Sequence, residues 1–123
     1  MSRIDKFEDL KAWRKSREVV QEIYKVCNGS NGFKKDFALS NQIQRAAISI
    51  MSNIAEGFGR SSDKELANFL NIAKGSICEV QSQLYIALDL GYIDKQKFEE
   101  LYNFLSEIGK LLTNFRKYLR GSL

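Results

Sequence analysis

The sequence contains no histidine and no proline, and only two of its 123 residues are cysteine. Without histidine there is no general base of the usual kind, no supply of the commonest metal ligand, and no Ser-His or Cys-His nucleophile pair. Without proline nothing deletes an internal helical hydrogen bond or clashes with the preceding turn. Cys27 and Cys78 suit reduced, mostly buried thiols in the core. No stretch approaches ~18 uninterrupted apolar residues, so none is expected to span a bilayer. The first nine residues, Met1 to Asp9, are too charged for a secretory leader, and a cytoplasmic chain is expected. The composition thus points to a chain that is not an enzyme and takes no cofactor or metal.

What is present is ordinary in amount: 44% apolar and 28% charged residues. That balance suits one folded domain over residues 1–123, large enough to bury roughly two thirds of its surface. The apolar residues fall at helical spacing throughout. In the last segment Phe98, Leu101, Leu105, Ile108, Leu112, Phe115 and Leu119 step by three and four, which is the seam of a bundle helix. Asp94 stands where a cap should, with Ile93 and Phe98 as a hydrophobic staple.

The third segment opens on the capping box Ser62-Asp63-Lys64-Glu65, ahead of Leu66, Phe69, Ala73, Ile77, Val80, Leu84 and Leu88, and Gly91 closes it. The first carries Trp13, Ser16, Val20, Ile23 and Cys27 on one stripe and stops at the loop-like run Asn28-Gly29-Ser30-Asn31-Gly32. The second runs from about Phe37 through Ile43, Ala47, Ile50 and Ile54, with Gly57 and Gly59 expected to end it. Short connections force neighbouring segments antiparallel, so the fold class is all-α, an up-down-up-down four-helix bundle.

Charge is spread unevenly. Residues 1–28 hold twelve charged side chains and residues 94–123 hold ten, yet Arg45 is alone between Ala38 and Ala55, and only Lys74 and Glu79 fall between Leu66 and Leu88. A helix of a solitary bundle shows most of its circumference to water and should carry charge there. Depletion of charge with retention of amides and apolar groups is the composition of a protein interface. The second and third segments are therefore expected to contact other copies of the chain, through Gln42, Arg45, Ser49, Asn53, Glu56, Asn71 and Gly75. Gly75 costs about 1 kcal/mol relative to alanine in mid-helix, which suggests that something approaches closely there. Glu56 is expected to receive hydrogen bonds from the start of the third segment or to pair with Arg45 or Arg60 of a neighbour.

The net charge of +4 is modest, but the bundle topology concentrates it. The start of the first helix, the junction of the second and third, and the end of the fourth share one end. That end gathers Lys11, Arg14, Lys15, Arg17, Arg60, Lys64, Arg116, Lys117 and Arg120, diluted by Asp5, Glu8, Asp9, Glu18, Asp63 and Glu65. Residues 110–123 hold four basic residues and no acid. Such a surface suits RNA or DNA through phosphate contacts with little base specificity; alternatively it solvates the negative end of the last helix, and the chain is a structural or protein-interaction scaffold.

The run Gln42-Ile43-Gln44-Arg45-Ala46-Ala47-Ile48-Ser49-Ile50-Met51-Ser52-Asn53-Ile54-Ala55-Glu56-Gly57-Phe58-Gly59-Arg60 resembles the signature of the bacterial four-helix bundle proteins encoded in intervening sequences of large-subunit ribosomal RNA genes. It is similar also to the accessory variability determinants of diversity-generating retroelements. Phe7-Glu8-Asp9-Leu10 with Trp13, Ala73-Lys74-Gly75-Ser76 with Glu79, and Asp89-Leu90-Gly91-Tyr92-Ile93 match in order. The resemblance implies a homopentameric ring of antiparallel bundles and no known reaction. From the accessory determinants it also implies nucleic acid and a reverse transcriptase as partners. Met51 stands where the family commonly has proline, and Phe33-Lys34 where a Phe-Pro pair is frequent, so the second helix is expected to run straighter.

Overall fold

The computed structural model describes residues 4–121, and every regular element among them is helical. After a short 3-10 turn at Phe7–Asp9 come α1 (Lys11–Asn28), α2 (Asn31–Lys35), α3 (Phe37–Phe58), α4 (Asp63–Asp89) and α5 (Lys95–Arg120). The long helices α1, α3, α4 and α5 pack in a closed square: α3 on α4, α4 on α5, and α1 against both α3 and α5. Cross-helix hydrogen bonds fix the direction. Ser76 reaches Ser49 and Gln83 reaches Gln42, so α4 descends as α3 rises. Gln81 reaches Ser106 while Arg116 reaches Ala67, so α5 is antiparallel to α4.

The helix starts follow their sequence signals. Ser62 Oγ accepts from the Glu65 amide at 3.1 Å, and Asp94 Oδ1 accepts from the Lys97 amide at 2.8 Å. Each occupies one of the amide donors that a helix start leaves without an internal partner. Ile93 and Phe98 are both buried, as a staple requires. α4 ends in a Schellman turn in which Tyr92 N–H donates to Ala87 O and Gly91 N–H to Leu88 O. The turn needs a left-handed residue, and Gly91 supplies it with φ +74°.

The core is the expected stripes brought together. Val19 and Ile23 of α1, Ile43, Ile50 and Ile54 of α3, Leu70, Val80 and Leu84 of α4, and Leu105, Ile108 and Leu112 of α5 are fully enclosed. Burying each such side chain contributes about 1.5–3 kcal/mol. Of the α5 seam only Phe115 keeps partial exposure.

Three local expectations are corrected. The run after α1 is not wholly loop: Ser30 caps a five-residue helix whose Phe33 is buried against the core, with Ser30 Oγ accepting from the Phe33 amide at 3.2 Å. Gly57 does not end α3 but lies buried within it, where a Cβ would stand 2.6 Å from the Phe69 Cβ, so it lets α3 and α4 approach closely. Cys78 is exposed rather than buried; Cys27 alone is a core thiol, its pKa raised by burial. Gly75 meets nothing within the chain, so no close packing by its own bundle explains it. α3 runs unbroken through Met51.

Candidate assembly face and basic surface

The charge-poor helices α3 and α4 lie side by side, and part of their polar composition is used where they meet. Ser49 Oγ accepts from Ser76 Oγ at 2.9 Å, and Asn53 Nδ2 donates to the Ser49 carbonyl and hydroxyl at 2.8 and 2.9 Å. Gln83 Nε2 donates to Gln42 Oε1 at 3.4 Å, while Gln83 Oε1 is buried without a partner. Ser76 and Gln83 are thus buried seam residues. Gln81 likewise turns to α5, donating to the Tyr102 carbonyl and to Ser106 Oγ. Small hydroxyls and amides here let two helices pack without charge.

Outside the seam a strip of both helices remains uncovered. On α4 it holds Ile72 and Ile86, 52% and 45% exposed, with Glu79 midway between them. The spacing of seven residues keeps all three on one face. On α3 it holds Arg45, and Arg45 and Glu79 line one shallow depression together with Gln42, Ala46 and Ser49. Neither Arg45 nor Glu79 holds a hydrogen bond or ion pair among the described residues. Ile86 lines a second depression with Ala38, Leu39 and Gln42.

Of the seven residues expected at an interface, Gln42, Arg45, Glu56, Asn71 and Gly75 are exposed, while Ser49 and Asn53 are half buried in the intrachain seam. Glu56 pairs with Arg60 of its own chain at 2.8 Å, one helical turn away. The sequence reading missed Ile72 and Ile86. Their signal was the heptad spacing with Glu79, masked because isoleucine in an amphipathic helix is ordinarily assigned to the core.

Several of the basic residues expected to gather at one end of the bundle are engaged within the chain, and Lys15 meets the middle of α5. Lys15 Nζ lies 3.2 Å from a Glu107 carboxylate oxygen and over the Phe104 ring. Arg60 is held by Glu56 and lies over Phe69. Arg14 donates to the Glu8 carbonyl, and Arg17 lies over Trp13. Arg116 Nε donates to the Ala67 carbonyl at 3.1 Å, which holds the side chain against α4. Lys11, Lys64, Lys117 and Arg120 are exposed, and their side chains hold no hydrogen bond or ion pair among the described residues. The positive charge free to meet a ligand is therefore weighted toward the α4–α5 side.

Among the described residues no group of three or more Cys, Asp or Glu side chains could hold a metal ion. No described helix is long and apolar enough to cross a membrane.

The fold and its connections define an antiparallel helical bundle with one unsheathed two-helix face. The chain belongs to the 23S rRNA-intervening sequence protein family, whose model matches residues 8–114. It is similar to a crystal structure of a protein of unknown function from the S23 ribosomal protein family of Bacteroides thetaiotaomicron. That likeness has a TM-score of 0.78 at 32% identity and covers 86% of this chain and 98% of that one. No curated protein matches the chain.

Proposed function

We propose that this chain is a non-enzymatic structural protein that assembles with copies of itself, as a ring of five, and binds nucleic acid through its basic end. The observation that carries the assembly reading is the outer strip of α3 and α4, with Ile72 and Ile86 exposed beside an unpaired Arg45 and Glu79. Covering two exposed isoleucines is favourable at roughly 25 cal/mol per Å² of apolar surface. A repeating contact lets each copy lend its own Arg45 and Glu79 to a neighbour. The strip contains two helices, so it offers a surface wide enough for packing of ridges into grooves.

The nucleic-acid reading is favoured by Lys64, Lys117 and Arg120, which are exposed and whose side chains hold no ion pair among the described residues. A ring repeats that patch around its axis, and phosphate contacts then add into a salt-dependent affinity.

The test is the pair Ile72→Lys and Ile86→Lys, placed where the side chains already meet water in one chain. Light scattering should fall from the mass of several chains to that of one while circular dichroism keeps its helical signal. A wild-type mass of one chain, or variants as large as the wild type, would overturn the assembly reading. Titration of labelled RNA and DNA at two salt concentrations tests the rest, and no binding at low salt would remove it.

A further inference from the structure

A further groove lies apart from the α3–α4 strip. It runs between α4 and α5, has a volume of about 410 Å³, and is open along its length because Gly109 has no side chain to fill it. Lys74 stands on its α4 wall and Lys110 on its α5 wall, with Thr113, Asn114, Gln81 and Ser106 between, and among the described residues no carboxylate lines it.

The helix edges that form the groove carry further groups in both directions. Toward the basic end, Thr113, Arg116 and Arg120 follow one another at three- and four-residue spacing, so they share the edge of α5. The Arg116 bond to Ala67 places that edge against α4. Lys110, Asn114 and Lys117 repeat the spacing one position further round. Toward the other end, Tyr85 is 50% exposed one turn beyond Gln81, with its ring 4.7 Å from Phe98 and 6.0 Å from Tyr102. The track thus begins at an exposed aromatic ring, passes amides and hydroxyls, and ends among cations. Tyr85 and Lys74 are roughly 16 Å apart along α4 at 1.5 Å per residue.

From this order of groups we infer that the α4–α5 groove holds a single strand of nucleic acid, its phosphates on Lys74 and Lys110 and one base stacked on Tyr85. The inference rests on the nucleic-acid reading above and names its site. Cationic grooves that follow the backbone, joined to aromatic platforms, are the means by which proteins bind single strands without reading sequence. A crease between two helices packed about 8–10 Å apart admits one backbone and leaves a duplex outside.

Fluorescence anisotropy of a labelled 20-nucleotide oligo-dT or oligo-U, and of a 20-base-pair duplex, tests this at 50 and 200 mM salt. The wild type should bind the single strand at least fivefold tighter than the duplex. Lys74→Glu with Lys110→Glu should weaken it at least tenfold. Lys34→Glu with Lys35→Glu makes the same change in net charge on α2 and should weaken it less than threefold. Gly109→Leu fills the groove where an added Cβ meets nothing, so the variant keeps its fold by circular dichroism and should lose at least fivefold with no change of charge. Equal loss in both charge pairs, undiminished binding by Gly109→Leu, or equal affinity for duplex would overturn the groove while leaving nucleic-acid binding intact. No binding of any oligonucleotide by the wild type would overturn both.

Discussion

The Tyr92 hydroxyl donates a 2.9 Å hydrogen bond to Asp36 Oδ2, joining the turn after α4 to the start of α3 across 56 residues of sequence. Asp36 uses its other oxygen to cap α3, accepting from the Leu39 amide at 3.1 Å. Tyr92 also stacks on Phe33 with ring centroids 5.2 Å apart, and a Cβ on Gly32 would stand 2.7 Å from its ring. One phenol therefore fastens α2, the α3 cap and the α4–α5 turn at the end of the bundle remote from the basic surface.

The hydrogen bond to Asp36 raises the Tyr92 pKa above its ordinary value of 10.0. A group whose pKa is higher in the folded state contributes stability that is complete below the unfolded value and is lost as pH rises through the folded one. The contribution of this bond should thus be level from pH 7 to 9 and decline above about pH 10. Tyr92→Phe should remove part of that decline while lowering stability at pH 7, as read by urea unfolding at each pH.

Gly57→Ala should destabilise the chain by about 1–3 kcal/mol, because the added methyl meets the Phe69 Cβ and the helices must part. Gly75→Ala, open on all sides within the chain, should instead stabilise an isolated chain by about 1 kcal/mol through helix propensity. Thermal unfolding of the two variants should move in opposite directions.

Gln83→Met keeps the volume of the side chain and removes the buried Oε1 that has no partner. Leaving such an acceptor unsatisfied costs about 1–3 kcal/mol, while Gln42, which loses its partner, is exposed and can turn to water. The midpoint of urea unfolding should rise.

Thiol labelling separates the cysteines. Cys78 is exposed and should react with a maleimide in the folded protein, whereas Cys27 is 1% exposed and its thiol is held protonated by burial. One equivalent should react natively and two after denaturation, as counted by mass spectrometry.

The bundle was legible because its information is local and periodic. The strict alternation from Phe98 to Leu119, and the caps at Ser62 and Asp94, are fixed by neighbours within one or two turns. What depends on contacts between helices was harder to read. Gly57 looks like a stop until Phe69 is seen against it, and Ser76 and Gln83 look like outer residues until Ser49 and Gln42 are found opposite. The basic residues were identified by topology, but periodicity does not show that Glu107 takes Lys15 or that Ala67 holds Arg116. The open groove at Gly109 follows from how two helices are spaced, which neither helix encodes alone.

The most direct measurement is the mass of the wild-type protein by sedimentation equilibrium at micromolar concentration. Coverage of the α3–α4 strip by sister copies requires a multiple of 14.1 kDa, fivefold for a ring of five, reduced to one chain by Ile72→Lys with Ile86→Lys. A wild-type mass of 14.1 kDa at every concentration would mean that Ile72 and Ile86 face water in solution, and the proposed assembly would be wrong.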